Sequence, residues 1–319
     1  MLSADSSLFR ICQLNVRQGD VAANAGAMIN AIEAARVSGK RLVIFPELAL
    51  TGVLEAADWR RESFMRDCEA ALQSVAAASA GMAVVLGTAV RYRGRLVNAA
   101  VAFEDCRPIA PEGSPVLFVP KTVSEVNRFD RLGGFFCAGA VAAIEGATLD
   151  TLAAPFVFNG LRVGVWLGRG GVEAARVLAR HNAQLLVNLD TVPYVRNANE
   201  PGDGADIAAE FGVPVARCGA AGVVDTGKAL FVLSGGSALA LPDRQSWRAV
   251  RFEEAIVDGD APSAAGLSGQ HDVAGVVIQA IETACHAQMA RLGLERVVVG
   301  ASGGIDSALT AAIYSRVVG

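Results

Sequence analysis

The sequence predicts an α/β architecture in which helices cover mixed sheets, followed by the opening of a second α/β unit. Three observations carry this prediction. Short apolar runs such as 42–45, 162–167 and 185–187 alternate with helically spaced apolar positions, the pattern of buried strands flanked by helices. Gly94 separates two apolar runs, a hairpin signal that makes the sheets mixed. Near residue 300 a glycine-rich turn follows an apolar run and precedes a helical one.

Taken in order, 9–16 reads as a buried strand, and Asp20 can cap a helix through Ala25, Ile29, Ile32 and Ala35 that ends near Gly39. A strand at 42–45 follows, then a helix through Ala70, Leu72, Val75 and Ala78. Next come the hairpin strands 83–90 and 96–103 and a strand at 116–119. The second half repeats the rhythm with strands at 162–167, 185–187 and 213–216 and helices at 172–180 and 207–211. Short strands follow near 230–232, 238–241 and 247–252. The stretch 258–269 is rich in Asp, Ala, Pro, Ser and Gly, as a linker should be. A helix at 272–292, a strand at 296–299 and a last helix from Asp306 complete the chain. The expected domains are therefore 1–257, a linker 258–270, and 271–319.

Composition narrows the function. A length of 319 residues with 52% apolar residues suits two domains with large cores. A net charge of −4 gives no electrostatic footprint for nucleic acid, and no basic amphipathic stretch points to a membrane surface. No apolar run is long enough to span a bilayer, and residues 1–10 lack a secretory pattern, so the cytoplasm is the expected compartment. Cys12, Cys68, Cys106, Cys137, Cys218 and Cys285 are scattered, which predicts reduced, mostly buried thiols and no zinc site. His181, His271 and His286 form no ligand pattern.

Two motifs carry chemistry. The first is Ala301-Ser302-Gly303-Gly304-Ile305-Asp306-Ser307. Its glycines let backbone N–H groups turn toward a ligand, Ser302 and Ser307 add hydroxyls, and a helix begins directly after. Pyrophosphate is the natural guest, and Asp306 could hold the magnesium that accompanies a nucleotide. The string resembles the loop of the ATP-pyrophosphatase family. It lacks the lysine of the G-x-x-x-x-G-K-[ST] loop.

The second is Phe45-Pro46-Glu47-Leu48-Ala49-Leu50-Thr51-Gly52, which puts a glutamate at the carboxyl end of a strand. It resembles the nitrilase superfamily, whose amidases use a Glu, a Lys and a Cys. The resemblance implies an αββα sandwich, and a four-layer arrangement when two such domains pair. It assigns the proton-shuttling role to Glu47 and the oxyanion-stabilising role to Lys121, which follows the strand at 116–119. The nucleophile position falls after the strand at 162–167, and there the sequence has Gly168-Arg169-Gly170. Glycine offers no nucleophile.

Together the two motifs resemble the glutamine-dependent NAD synthetase family, with further likeness at Gln13-Leu14-Asn15, Asn98-Ala99-Ala100-Val101 and 185–189. That resemblance implies ATP and Mg2+ as cofactors, deamido-NAD and ammonia or glutamine as substrates, and a homo-oligomer. It also exposes departures. Asn127 falls near the tyrosine that contacts glutamine in the family, and Ala198 near a family lysine. The segment after the Gly-rich loop is too short to complete a nucleotide-binding domain. Two outcomes are expected: an NAD synthetase with a degenerate glutaminase half, or a nitrilase-like domain kept as a scaffold or regulatory subunit.

Overall fold

The computed structural model describes residues 8–54, 58–122, 135, 137–168, 171–196, 202–260 and 273–318. The expected positions Asn127, Arg169, Ala198, 261–270 and His271 lie outside the described residues.

The chain opens with β1 (Phe9–Gln13), α1 (Val21–Val37) and β2 (Leu42–Ile44). Asp20 caps α1 as expected, its carboxylate accepting from the Ala23 N–H at 3.1 Å. Met28, Ile32 and Ala35 share the buried stripe of α1. α2 (Glu62–Ala78) leads to β3 (Ala83–Tyr92) and β4 (Arg95–Glu104). Arg93 and Gly94 both take positive φ (47° and 77°), the geometry a two-residue hairpin turn requires. Next come β5 (Arg107–Ile109), β6 (Phe118–Pro120), α3 (Ala138–Glu145), α4 (Leu149–Leu152), β7 (Phe156–Phe158) and β8 (Leu161–Leu167). α5 (Gly171–Arg180), β9 (Leu185–Asp190), α6 (Ala205–Phe211) and β10 (Val215–Gly219) follow. The sandwich then finishes with β11 (Ala221–Asp225), β12 (Leu230–Ser234), β13 (Ala238–Ala240), β14 (Ser246–Arg248) and β15 (Ala255–Asp258).

The strands build two mixed sheets. One runs β15-β1-β2-β3-β4-β5, with β6 also on β4; the other runs β14-β13-β10-β9-β8-β7. In each, three parallel strands form the centre (β1-β2-β3 and β8-β9-β10). The sheets pack face to face through Ile11, Ile44, Val85, Ala100, Val165, Val187 and Ala216. α1 and α2 cover the outer face of the first sheet, α5 and α6 that of the second. One chain therefore supplies all four αββα layers, which corrects the expectation that they arise when two domains pair. The reason is that each sheet is apolar on both faces and covers one with its own crossover helices.

β15 was not foreseen. It pairs antiparallel with β1, and Asp258 takes Arg10 in a bidentate ion pair at 2.6 and 2.8 Å. Gly259 donates its N–H to the Phe9 carbonyl, and Asp260 receives Lys40 at 2.6 Å. The polar residues that suggest a linker from 258 thus serve first as the edge of the sheet.

α7 (Val273–Leu292) and α8 (Ile305–Val318) follow as expected. The expected strand at 296–299 is not one: no ladder forms there, and Val298 is 97% exposed. An apolar run becomes a strand only when a neighbouring strand takes its N–H and C=O groups, and none of the described residues does so.

Candidate functional site

Glu47 lies in a turn directly after β2. The turn is pinned to β3 by Ala49 N–H to the Gly87 carbonyl (2.9 Å) and Gly87 N–H to the Pro46 carbonyl (3.0 Å), with Leu48 at φ 50°. The approach is so close that a Cβ on Gly87 would lie 2.4 Å from the Glu47 Cα, so only glycine fits. Lys121 directly follows β6, its N–H donating to the Asn98 carbonyl of β4 at 2.8 Å. Two unrelated strand ends thereby deliver both residues to one point.

The two charged groups meet. Lys121 Nζ is 2.9 Å from Glu47 Oε1, and both residues are buried. Asn98 Nδ2 donates to the same oxygen at 2.7 Å, and Thr191 Oγ1 donates to Oε2 at 3.2 Å. Glu47 is thus gripped on both oxygens. Asn98 was legible only as part of the hairpin phrase, and Thr191 gave no signal at all. The Asn98 Oδ1 is buried without a hydrogen-bond partner.

Gly168 follows β8 at φ 68°. Its N–H donates to the Leu189 carbonyl at 2.8 Å and its carbonyl accepts from Asn188 Nδ2 at 2.9 Å, so both its backbone groups are tied to β9. A cavity of about 430 Å³ opens beside it, lined among others by Trp166, Asn188, Asp190, Asp203 and Arg217. Arg217 and Asp190 form a buried bidentate pair at 2.7 and 3.1 Å, and a third Arg217 N–H reaches the Gly236 carbonyl at 2.6 Å. A signal for this pair existed: a charge inside each of two apolar strands requires a partner.

The three buried thiols are poor nucleophiles. Cys12, Cys68 and Cys218 are buried, and burial pushes the first two up to about 12 and Cys218 well above its ordinary value. Cys106 and Cys137 are exposed, contrary to the expectation of mostly buried thiols, because they sit in a turn and at a helix start. No group of three metal-ligating side chains occurs among the described residues.

The Gly-rich loop is folded on itself and open to solvent. Gly303 takes φ 83°, Ser307 Oγ accepts from the Ser302 N–H at 3.2 Å, and Ser307 Oγ donates to the Gly304 carbonyl at 2.9 Å. Ser302, Gly303, Gly304 and Asp306 are exposed at the start of α8. The donor set suits phosphate oxygens. A single carboxylate, Asp306, suits magnesium only alongside the phosphates themselves.

A two-sheet αββα sandwich with a buried Glu–Lys pair at the strand ends defines a class. Residues 8–260 match the carbon-nitrogen hydrolase family, and the chain belongs to it. Among individual proteins it is similar to glutamine-dependent NAD(+) synthetases. It is 30% identical to that of Rhodobacter capsulatus over 98% of this chain and 55% of the relative. It is 27% identical to that of Xylella fastidiosa (strain 9a5c) over 97% and 56%. The chain thus spans a little over half the length of the curated relatives it matches. The fold is shared with the glutamine-dependent NAD+ synthetase of Acinetobacter baumannii, solved with ADP (TM-score 0.80, 20% identity, 98% of this chain and 57% of that one). It is shared also with an amidase from Nesterenkonia sp. AN1 (TM-score 0.62, 17% identity, 81% and 93%). In a structure of that amidase, acrylamide is added at the active-site cysteine.

Proposed function

We infer that this chain is the carbon-nitrogen hydrolase module of an NAD synthetase-type protein whose glutamine-hydrolysing site has lost its function. The observation that carries this reading is a contrast within one site. Glu47 and Lys121 are held 2.9 Å apart, while the position that the family resemblance assigns to the thiol, directly after β8, is Gly168. Amide cleavage by the thiol route stores the acyl group as a thioester, and glycine supplies no atom to hold it. The amidation of deamido-NAD would then draw on free ammonia rather than glutamine. Residues 271–319 would open the ATP-binding domain, with Ser302, Gly303, Gly304 and Ser307 on the pyrophosphate and Asp306 on Mg2+. ATP supplies the activation of the acceptor; this chain's residues bind and orient its phosphates. A homo-oligomer is expected. The glycine at position 168 fits a second reading equally, a scaffold or regulatory subunit.

The test is glutamate release from glutamine by the wild-type chain and by Gly168→Cys. Neither should exceed a no-enzyme control. A lone thiol restores the bond-forming atom but not substrate placement, and a misplacement of about 1 Å costs on the order of 100-fold. Release by the wild type overturns the reading of a lost glutaminase; robust release by Gly168→Cys alone shows that the glutamine pocket is intact.

A further inference from the structure

We propose that Thr191 is a nucleophile in its own right: the Glu47–Lys121 pair serves its hydroxyl, and the site accepts small carboxylic esters. Nucleophilic hydroxyls are recognised by geometry: a base within hydrogen-bond reach, and that base oriented by a third group. Thr191 Oγ1 donates to Glu47 Oε2 at 3.2 Å, and the other carboxylate oxygen is fixed by Lys121 Nζ at 2.9 Å and Asn98 Nδ2 at 2.7 Å. Hydroxyl and ammonium are therefore separated by the width of one carboxylate. Glu47, Lys121 and Asn98 are buried, whereas Thr191 is only half-buried, the most exposed member of the group.

The location supports the chemistry. Thr191 directly follows β9, whose Leu189 carbonyl takes the Gly168 N–H at 2.8 Å, so the hydroxyl stands one strand across from the position that glycine occupies. Gly168 contributes no side chain to compete for the space. A Thr hydroxyl is a weaker nucleophile than a thiolate, which selects an acyl group with a good leaving alcohol over an unactivated amide.

The step balances. The Thr191 oxygen attacks the ester carbonyl carbon as its proton passes to Glu47, and the buried Lys121 charge stabilises the oxyanion. The C–O bond to the alcohol breaks, and Glu47 returns the proton to the departing oxygen. Water, deprotonated by Glu47, then attacks the acyl-threonine ester, releasing the acid and restoring the hydroxyl. The net reaction is ester plus water to acid plus alcohol.

The experiment treats the full chain with p-nitrophenyl acetate after capping exposed thiols with iodoacetamide. It follows p-nitrophenolate release and locates acetyl groups by peptide mass. The expected result is a burst of about one equivalent per chain with acetyl on Thr191. Thr191→Val, which keeps the shape of a half-buried side chain, abolishes burst and adduct; Thr191→Ser keeps both. Glu47→Gln slows the burst by about 100-fold or more, the usual weight of general-base catalysis. Acetyl confined to lysines or amino groups, or an undiminished burst in Thr191→Val, overturns the proposal. That failure is separate from the glutaminase reading: glutamate release can be absent whether or not Thr191 is acylated.

Discussion

At the scale of single residues, the site is held by satisfied buried charges, and its response to substitution follows. Removing one partner of a buried ion pair leaves an uncompensated charge in a low-dielectric setting, typically costing about 3–5 kcal/mol. Lys121→Met should therefore destabilise the fold by about that amount, and the double variant Glu47→Gln/Lys121→Met should recover most of it. Urea unfolding midpoints of the two single variants and the double variant check this. If the double variant is as unstable as the sum of the singles, the pair is not coupled. Gly87→Ala is the steric counterpart. Its Cβ would meet backbone, the Glu47 Cα at 2.4 Å, so the turn must move and carry the carboxylate away from Lys121. A crystal structure of Gly87→Ala with the Glu47–Lys121 contact unchanged contradicts this account.

At the scale of elements, the instructive case is α7. It docks on the β11–β12 ladder by one face: Val276 and Ala280, four residues apart, bury against Val232 and Phe252, with Tyr194, Val223 and Ala284 beside them. Arg291 also pairs with Asp225. Beyond this contact the segment is open, with Leu292, Leu294, Ile305 and Leu309 at least half exposed. Val276, Ala280 and Met289 are the buried residues of this 20-residue helix, a narrow hold for its length. Val276→Asp should accordingly raise amide exchange through α7 and α8 while leaving the sandwich's melting temperature within a few degrees. Equal loss of protection in β1, β2 and β9 would mean that helix and sandwich unfold as one unit.

At the scale of the whole molecule, acid should weaken the fold, and the sign follows from two carboxyls. Burial alone would raise Asp203, but hydrogen bonds from Ser246 and the Ala205 N–H, with the charge of Arg248, more than offset it and leave Asp203 below its ordinary value. The hydrogen bond from Lys40 lowers Asp260 in the same direction. A carboxyl lowered by folding contributes stability that is fully present above its unfolded pKa, about 3.9, and is lost as pH falls through the folded value. Unfolding free energy should thus stay level above about pH 5 with respect to these groups and fall below about pH 4. Asp203→Asn should flatten that acid limb; a limb unchanged in this variant rules Asp203 out as its source.

Much of this protein was written in its sequence because local physics decides it. Asp20 caps α1, Arg93-Gly94 turns the hairpin, the apolar runs at 162–167 and 185–187 fall within β8 and β9, and Glu47 and Lys121 each follow a strand because strand ends are where polar residues re-enter the chain. The glycine at 168, directly after β8, is equally local. Partnership between distant segments was not legible. Pairing of β15 with β1 joins residues nearly 250 positions apart, and the Arg10–Asp258 clasp depends on it. The approach of Thr191 to Glu47 required the two sheets to meet face to face, and the Asp190–Arg217 pair required β9 and β10 to lie side by side. The run at 296–299 had a strand's composition without a strand's neighbour. Periodicity reports which face a segment hides, but hydrogen bonds between strands and charges between sheets are decided by what the rest of the chain brings alongside.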